Sequence, residues 1–150
     1  MRVEIAIDAR NGVGEGPFWD ERDEALWWVD ITGRSVQRWE PASGERLSWP
    51  MPDFPSAVVP RAQGGAVVAL RDGLYFLDPA SGGLQPFCRP DADRPGNRSN
   101  EAKCGPSGDL WLGTMENNLH PDGSPREMTG ATGALYRVLV DRLWPRGLRR

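Results

Sequence analysis

Ala25-Leu26-Trp27-Trp28-Val29-Asp30-Ile31, then Thr32-Gly33-Arg34-Ser35, then Val36-Gln37-Arg38-Trp39 is the stretch on which the fold turns. A short aromatic and apolar run, a turn rich in polar residues and Gly, and a second run whose apolar residues bracket polar ones together spell a β-hairpin. The hairpin has echoes. Trp28-Val29-Asp30 followed by Pro41-Ala42-Ser43-Gly44 returns as Phe76-Leu77-Asp78 followed by Pro79-Ala80-Ser81-Gly82, and Leu110-Trp111-Leu112 and Ala134-Leu135-Tyr136-Arg137 repeat the strand type. From Trp28 to Phe76 is 48 positions, within the ~40 to 50 residue period of propeller blades. Each such blade is a four-stranded antiparallel sheet that faces its neighbours around a central channel.

Further strands fill the intervals: Arg46-Leu47-Ser48-Trp49, Ala57-Val58-Val59 and Gly65-Ala66-Val67-Val68-Ala69-Leu70. Arg71-Asp72-Gly73 reads as a tight turn into Leu74-Tyr75-Phe76-Leu77. No segment sustains a helical period: Leu135, Leu139 and Leu143 are spaced by four, but Pro145 interrupts them. The expected fold is all-β, with about three blades.

Composition agrees with many short strands. Gly and Pro together make 32 of the 150 residues, and there are seven Trp. No apolar run approaches the ~18 residues that cross a bilayer, and no apolar segment follows Met1-Arg2-Val3-Glu4. A cytoplasmic protein with no membrane partner is expected. The 17 Arg and single Lys are scattered among 21 acids, without the basic stripe that nucleic acid requires. Cys88 and Cys104 have no metal-binding spacing and are expected to be free thiols. Residues 137–150 hold five Arg and one Asp, a net charge of +4 that leaves −7 on residues 1–136. The end of the chain differs in kind from its body.

Two polar islands interrupt the strands. Gly14-Glu15-Gly16-Pro17-Phe18-Trp19 sets one carboxylate among residues that fix the backbone. Asn97-Arg98-Ser99-Asn100-Glu101-Ala102-Lys103-Cys104 reads as a functional loop feeding the strand that ends in Gly113-Thr114-Met115. Read by themselves, Glu15 could equally be a solvated turn residue beside Asp20 and Glu21, and the asparagines could simply cap turns.

Together, in this order, the two islands resemble the SMP-30/regucalcin/gluconolactonase family of metal-dependent lactonases. The resemblance covers roughly residues 3–138, and family chains are about twice as long. It implies a six-bladed lactonase-type propeller that hydrolyses a sugar lactone to the aldonic acid. It also implies a divalent cation, Ca²⁺, Zn²⁺, Mn²⁺ or Mg²⁺, held by one Glu, one Asn and one Asp, with the Asp as general base. Such a cation polarises the lactone carbonyl and acidifies its bound water. Glu15 matches the Glu ligand. Arg98 and Asn100 match substrate contacts, suited to a polyhydroxylated lactone by the guanidinium's fork of donors and the amide's mixed character. Asn118 in Glu116-Asn117-Asn118 matches a further contact, with an amide where the family often has an acid. Glu101 and Ala102 stand where Asp and Gly are frequent, and Lys103 is expected to order the loop.

No catalytic residue is expected within these 150 residues, because the general-base Asp of the resemblance belongs to later blades. The expected organisation is residues 1–138 as the N-terminal half of a propeller and 139–150 as a divergent basic tail, from truncation or a reading-frame change near residue 138. A half-ring exposes blade edges through which self-association is expected. A non-catalytic half-propeller, or a binding or calcium-handling protein of the same fold, is the alternative. Asp91-Ala92-Asp93-Arg94-Pro95-Gly96 begins like a calcium loop but has Pro95 at the fifth position and Ala102 at the twelfth, which excludes an EF-hand. His120 is the single histidine and has no nucleophile pattern around it. Asp122 and Asp141 have no motif to recommend them as metal ligands.

Overall fold

The computed structural model describes residues 1–139. These residues form three antiparallel sheets, each a meander in chain order, and no helix. The first sheet holds β1 (Gly14–Asp20), β2 (Ala25–Asp30), β3 (Ser35–Trp39) and β4 (Arg46–Pro50). The second holds β5 (Pro55–Pro60), β6 (Ala66–Leu70), β7 (Gly73–Leu77) and β8 (Leu84–Cys88). The third holds β9 (Asn97–Cys104), β10 (Leu110–Glu116) and β11 (Leu135–Val138). Residues 140–150, which include Asp141 and nearly all of the basic tail, lie outside the described residues. No helix is long and apolar enough to cross a membrane among the described residues.

The hairpin is present as β2 and β3, with Asp30 opposite Ser35 and residues 31–34 as the loop. The repeat is real but its phase is different. Trp28 is in the second strand of its sheet and Phe76 in the third strand of the next, so these two do not correspond. The corresponding elements are the two Pro-Ala-Ser-Gly turns, 38 positions apart, each joining the third strand of a sheet to the fourth. In both, the Gly amide returns to the carbonyl of the residue before Pro, Gly44 to Glu40 and Gly82 to Asp78, at 2.8 Å. In both, the Ser hydroxyl bonds the carboxylate of that same residue. The first strands begin at Gly14, Pro55 and Asn97, a period of 41 to 42 residues.

The middle sheet explains why β6 reads as an unbroken apolar run. Ala66, Val68 and Leu70 pack into a core against the first sheet, with Trp27, Val29, Val36, Trp49 and Val58. Val67 and Ala69 point the other way, into a core against the third sheet with Ala57, Val59, Ala102, Leu110 and Leu112. A period of two is thus split between two cores, and every residue of β6 is buried. Each fully buried Val or Leu side chain contributes about 1.5–3 kcal/mol. Polar ties fix one sheet to the next: Trp49 Nε1 donates to Pro79 O at 3.0 Å and Arg22 Nη1 to Arg61 O at 2.9 Å.

Both polar islands are themselves strands, β1 and β9, where a lead-in to a strand and a loop were expected. Neither shows clean alternation, because each carries a β-bulge.

Candidate functional site

The first strands of the three sheets, β1, β5 and β9, run next to one another, with β5 between the other two. All three depart from regular pairing near their starts. On β1, Gly16 and Pro17 together oppose the single residue Trp28, between the pairs Glu15 with Val29 and Phe18 with Trp27. On β5, Ser56 is the extra residue between the pairs Pro55 with Leu70 and Ala57 with Ala69. On β9, Asn100 is the extra residue between Ser99, which faces Thr114, and Glu101, which faces Gly113. A bulge re-aims the side chains beside it. The three bulges therefore interrupt the ordinary in-and-out alternation near Glu15, Ser56, Asn100 and Glu101.

Gly16 lies where the three strands meet. A Cβ there would stand 3.8 Å from Ala57 Cα, 3.8 Å from Ser56 O and 3.9 Å from Glu101 Oε1. Its φ of +59° is the left-handed conformation that Gly adopts without cost. Glu101 thus extends its carboxylate to the turn that carries Glu15. Its Oε1 also accepts from Ala102 N at 3.1 Å. Glu101 was read from sequence only as a matter of loop geometry, and its place beside β1 becomes visible once the bulge is seen. Ser56 carries no motif, and its hydroxyl is spent on Ala69 O at 3.3 Å.

Arg98 and Asn118, 20 positions apart, are in direct contact. Arg98 Nε donates to Asn118 Oδ1 at 2.9 Å, and Arg98 Nη1 donates to Ser99 O at 2.8 Å. Arg98 is only 8% exposed, and burial draws its guanidinium below its ordinary pKa. Asn118 is held from its own side by Arg126 N, which donates to Asn118 O at 2.7 Å. Asn100 and Glu15 are both exposed. The structure therefore joins Arg98 to Asn118, sets Asn100 two residues along the same strand, and leaves Glu15 on β1 without an ion pair to Arg98.

The other groups near these strand heads are structural. Asp91 accepts from the Tyr136 hydroxyl and from Asn97 Nδ2, the latter at 2.7 Å, and this ties the segment before β9 to β11. Burial pushes the Asp91 carboxyl up, but these hydrogen bonds hold it below the ordinary carboxylate value. That role accounts for Asp91 at the acidic start of this segment. Glu116 takes the amides of Thr129 and Gly130 at 2.7 Å each and so closes the loop after β10; the same bonds lower its pKa. Asp122 is held by the Ser124 hydroxyl at 2.7 Å. Cys88 and Cys104 are free, as expected.

No group of three or more His, Cys, Asp or Glu that could hold a metal ion occurs among the described residues. Glu15 is exposed and has no side-chain hydrogen bond or ion pair among the described residues, so its carboxylate is able to serve as one ligand. Alone it does not make a cation site, because one exposed carboxylate does not offset dehydration of the ion.

Comparison with known proteins gives a consistent picture. The family model described as "SMP-30/Gluconolactonase/LRE-like region" matches residues 13–146. Regucalcin of Danio rerio is 34% identical over 122 residues, 81% of this chain and 41% of that protein. The 6-deoxy-6-sulfogluconolactonase of Pseudomonas putida is 33% identical over 127 residues, 84% of this chain and 40% of that protein. Among solved structures, a calcium-binding regucalcin from Agrobacterium tumefaciens superposes with a TM-score of 0.75 at 32% identity, covering 89% of this chain and 42% of its own. The chain spans less than half the length of these relatives.

Proposed function

Because the chain belongs to the SMP-30/gluconolactonase/LRE-like family, we propose that the heads of β1 and β9 form the sugar-binding side of a lactonase site, which serves hydrolysis of a sugar lactone to the aldonic acid. The observation that carries this reading is the 2.9 Å bond from Arg98 Nε to Asn118 Oδ1. It joins two of the residues that the motif marks as substrate contacts, and it fixes the guanidinium at the start of an inner strand.

Opening a lactone by water builds negative charge on the carbonyl oxygen, and hydrogen-bond donors held in place before the reaction lower that barrier. Arg98 is such a donor. Asn100, the exposed extra residue of the bulge two positions along the strand, is proposed to donate to one sugar hydroxyl and accept from another. Glu15 is proposed as one ligand of a divalent cation, Ca²⁺, Zn²⁺, Mn²⁺ or Mg²⁺, all of which accept carboxylate oxygen. The described residues do not complete that ligand set, nor do they set a carboxylate against Arg98. The remaining ligands and the general base are therefore assigned to groups outside them. The name of the Pseudomonas putida relative, a gluconolactonase, supports the substrate class.

A second reading follows from the same shortfall: a non-catalytic half-propeller or calcium-handling protein, with its exposed sheet faces open to self-association. Trp19 on the first sheet and Trp111 and Leu135 on the third, which are 46%, 40% and 71% exposed, favour it. One assay separates the two. Purified chain is given glucono-1,5-lactone with Mn²⁺, Zn²⁺ or Ca²⁺, and acid release is followed by a pH indicator. Cation-dependent turnover that falls at least tenfold in Arg98→Gln and in Glu15→Gln supports the lactonase site. Absence of both turnover and lactone binding with every cation assigns this chain to the second reading.

A further inference from the structure

Among the described residues, Arg98 is a buried cation without an anion. The arginines that pair elsewhere do so with carboxylates: Arg22 with Asp20 at 2.6 Å, Arg71 with Asp53 at 2.7 Å and Arg89 with Asp72 at 2.7 Å. Each is more exposed than Arg98. Arg98 instead bonds an amide oxygen and a backbone carbonyl, both uncharged. Glu101 lies toward Gly16 and Glu15 is exposed on β1; neither pairs with it. Nη2 has no acceptor among the described residues. The one side-chain nitrogen or oxygen there that is both buried and unpartnered is Trp27 Nε1, so Nη2 retains access to solvent.

A guanidinium removed from water and left uncompensated gains most from a charged acceptor, because bonds between ionised partners are shorter and roughly twice as strong as neutral ones. An oxyanion also presents two coplanar acceptors that match the fork of the guanidinium. From this geometry we infer that the Arg98–Asn118 site selects sugar lactones or sugar acids that carry an oxyanion group, such as a carboxylate, over neutral sugars. The inference rests on the lactone-site reading of the same residues and adds a charge requirement to it. Asn118 sets the preference: its amide orients Arg98 through Nε but leaves the positive charge for the ligand.

The test compares binding of D-gluconate and its uncharged counterpart D-glucitol by calorimetry, in metal-free buffer of low ionic strength. Gluconate is expected to bind at least tenfold more tightly, and its affinity alone is expected to fall as salt is raised. Asn118→Glu supplies Arg98 with a carboxylate, so the ratio of gluconate to glucitol affinity should drop to about one. Asn118→Asp serves as a second variant should the longer side chain fail to fold. Equal affinities in the parent chain would overturn the charge requirement while leaving the sugar site standing. Binding of neither ligand would remove the sugar site, and the charge requirement with it. A preference that survives both variants would show that Arg98 is not its source.

Discussion

Glu101 Oε1 lies 3.9 Å from the point where a side chain on Gly16 would begin. β9 therefore brings a carboxylate past the head of β5 to the neighbourhood of the bulge on β1 that follows Glu15. The space beside Gly16 is adequate, since its three nearest neighbours stand at 3.8 to 3.9 Å, ordinary contact distances. The backbone is the obstacle, because a φ of +59° costs a residue with Cβ roughly 1–2 kcal/mol. Gly16→Ala is thus expected to lower the unfolding free energy by that amount, read as a lower urea midpoint at unchanged slope. A variant as stable as the parent would show that the turn reaches negative φ freely.

Much of the fold was legible because β6 and its neighbours write their burial into the sequence. Ala66–Leu70 is apolar throughout because both of its faces meet a core, and the Pro-Ala-Ser-Gly turns repeat because the same backbone hydrogen bonds recur. The phase of the repeat was not legible: Trp28 and Phe76 share a residue class while occupying different strands, and residue class records burial, not rank within a sheet. At the site, Glu15, Arg98, Asn100 and Asn118 stood out through their motifs, but the strand character of Asn97–Cys104 did not, since the bulge at Asn100 breaks the alternation that marks a strand. The proximity of Glu101 to Gly16 brings together residues 85 positions apart and has no local signature.

Two leucines separate core from rim. Leu70 is 1% exposed and packs among Trp27, Val29 and Val58, whereas Leu135 is 71% exposed. Leu70→Ala should cost about 2–5 kcal/mol through lost transfer energy and the cavity left behind. Leu135→Ala should stay within about 0.5 kcal/mol. Chemical denaturation of both variants checks the contrast. A large loss at Leu135 would mean that its face is covered in solution.

The two thiols should be sluggish. Burial, with Asp109 nearby, pushes Cys104 up to about 11, and burial also raises Cys88. At pH 8 a thiol of pKa 11 is ionised to roughly one part in a thousand, and the thiolate is the reactive form. Ellman's reagent at pH 8 is expected to label the native chain slowly and the urea-unfolded chain at the rate of a free cysteine. Rapid native labelling of either residue would contradict its placement.

Asp20 and Arg22 carry a pH dependence of stability. Asp20 is 1% exposed; Arg22 Nε meets its Oδ1 at 2.9 Å, Nη2 meets Oδ2 at 2.6 Å, and Arg22 N adds a bond to Oδ1 at 3.1 Å. Burial pushes the carboxyl up, but the hydrogen bonds and charge of Arg22 outweigh it, so the folded value lies below the ordinary one. A carboxylate with a depressed folded pKa stabilises the fold above its unfolded pKa of about 4, and that contribution is lost as pH falls through the folded value. Arg22→Gln keeps much of the side chain but removes the charge, so burial should then dominate and raise the Asp20 pKa. The variant should be less stable than the parent at pH 7, and the gap should narrow as the pH falls through the depressed folded value of Asp20 in the parent. Comparing unfolding free energies of the two proteins between pH 7 and pH 2.5 cancels the other carboxylates. A gap that stays constant across this range would assign the effect of Arg22 to its bond with Arg61 O, and not to its charge.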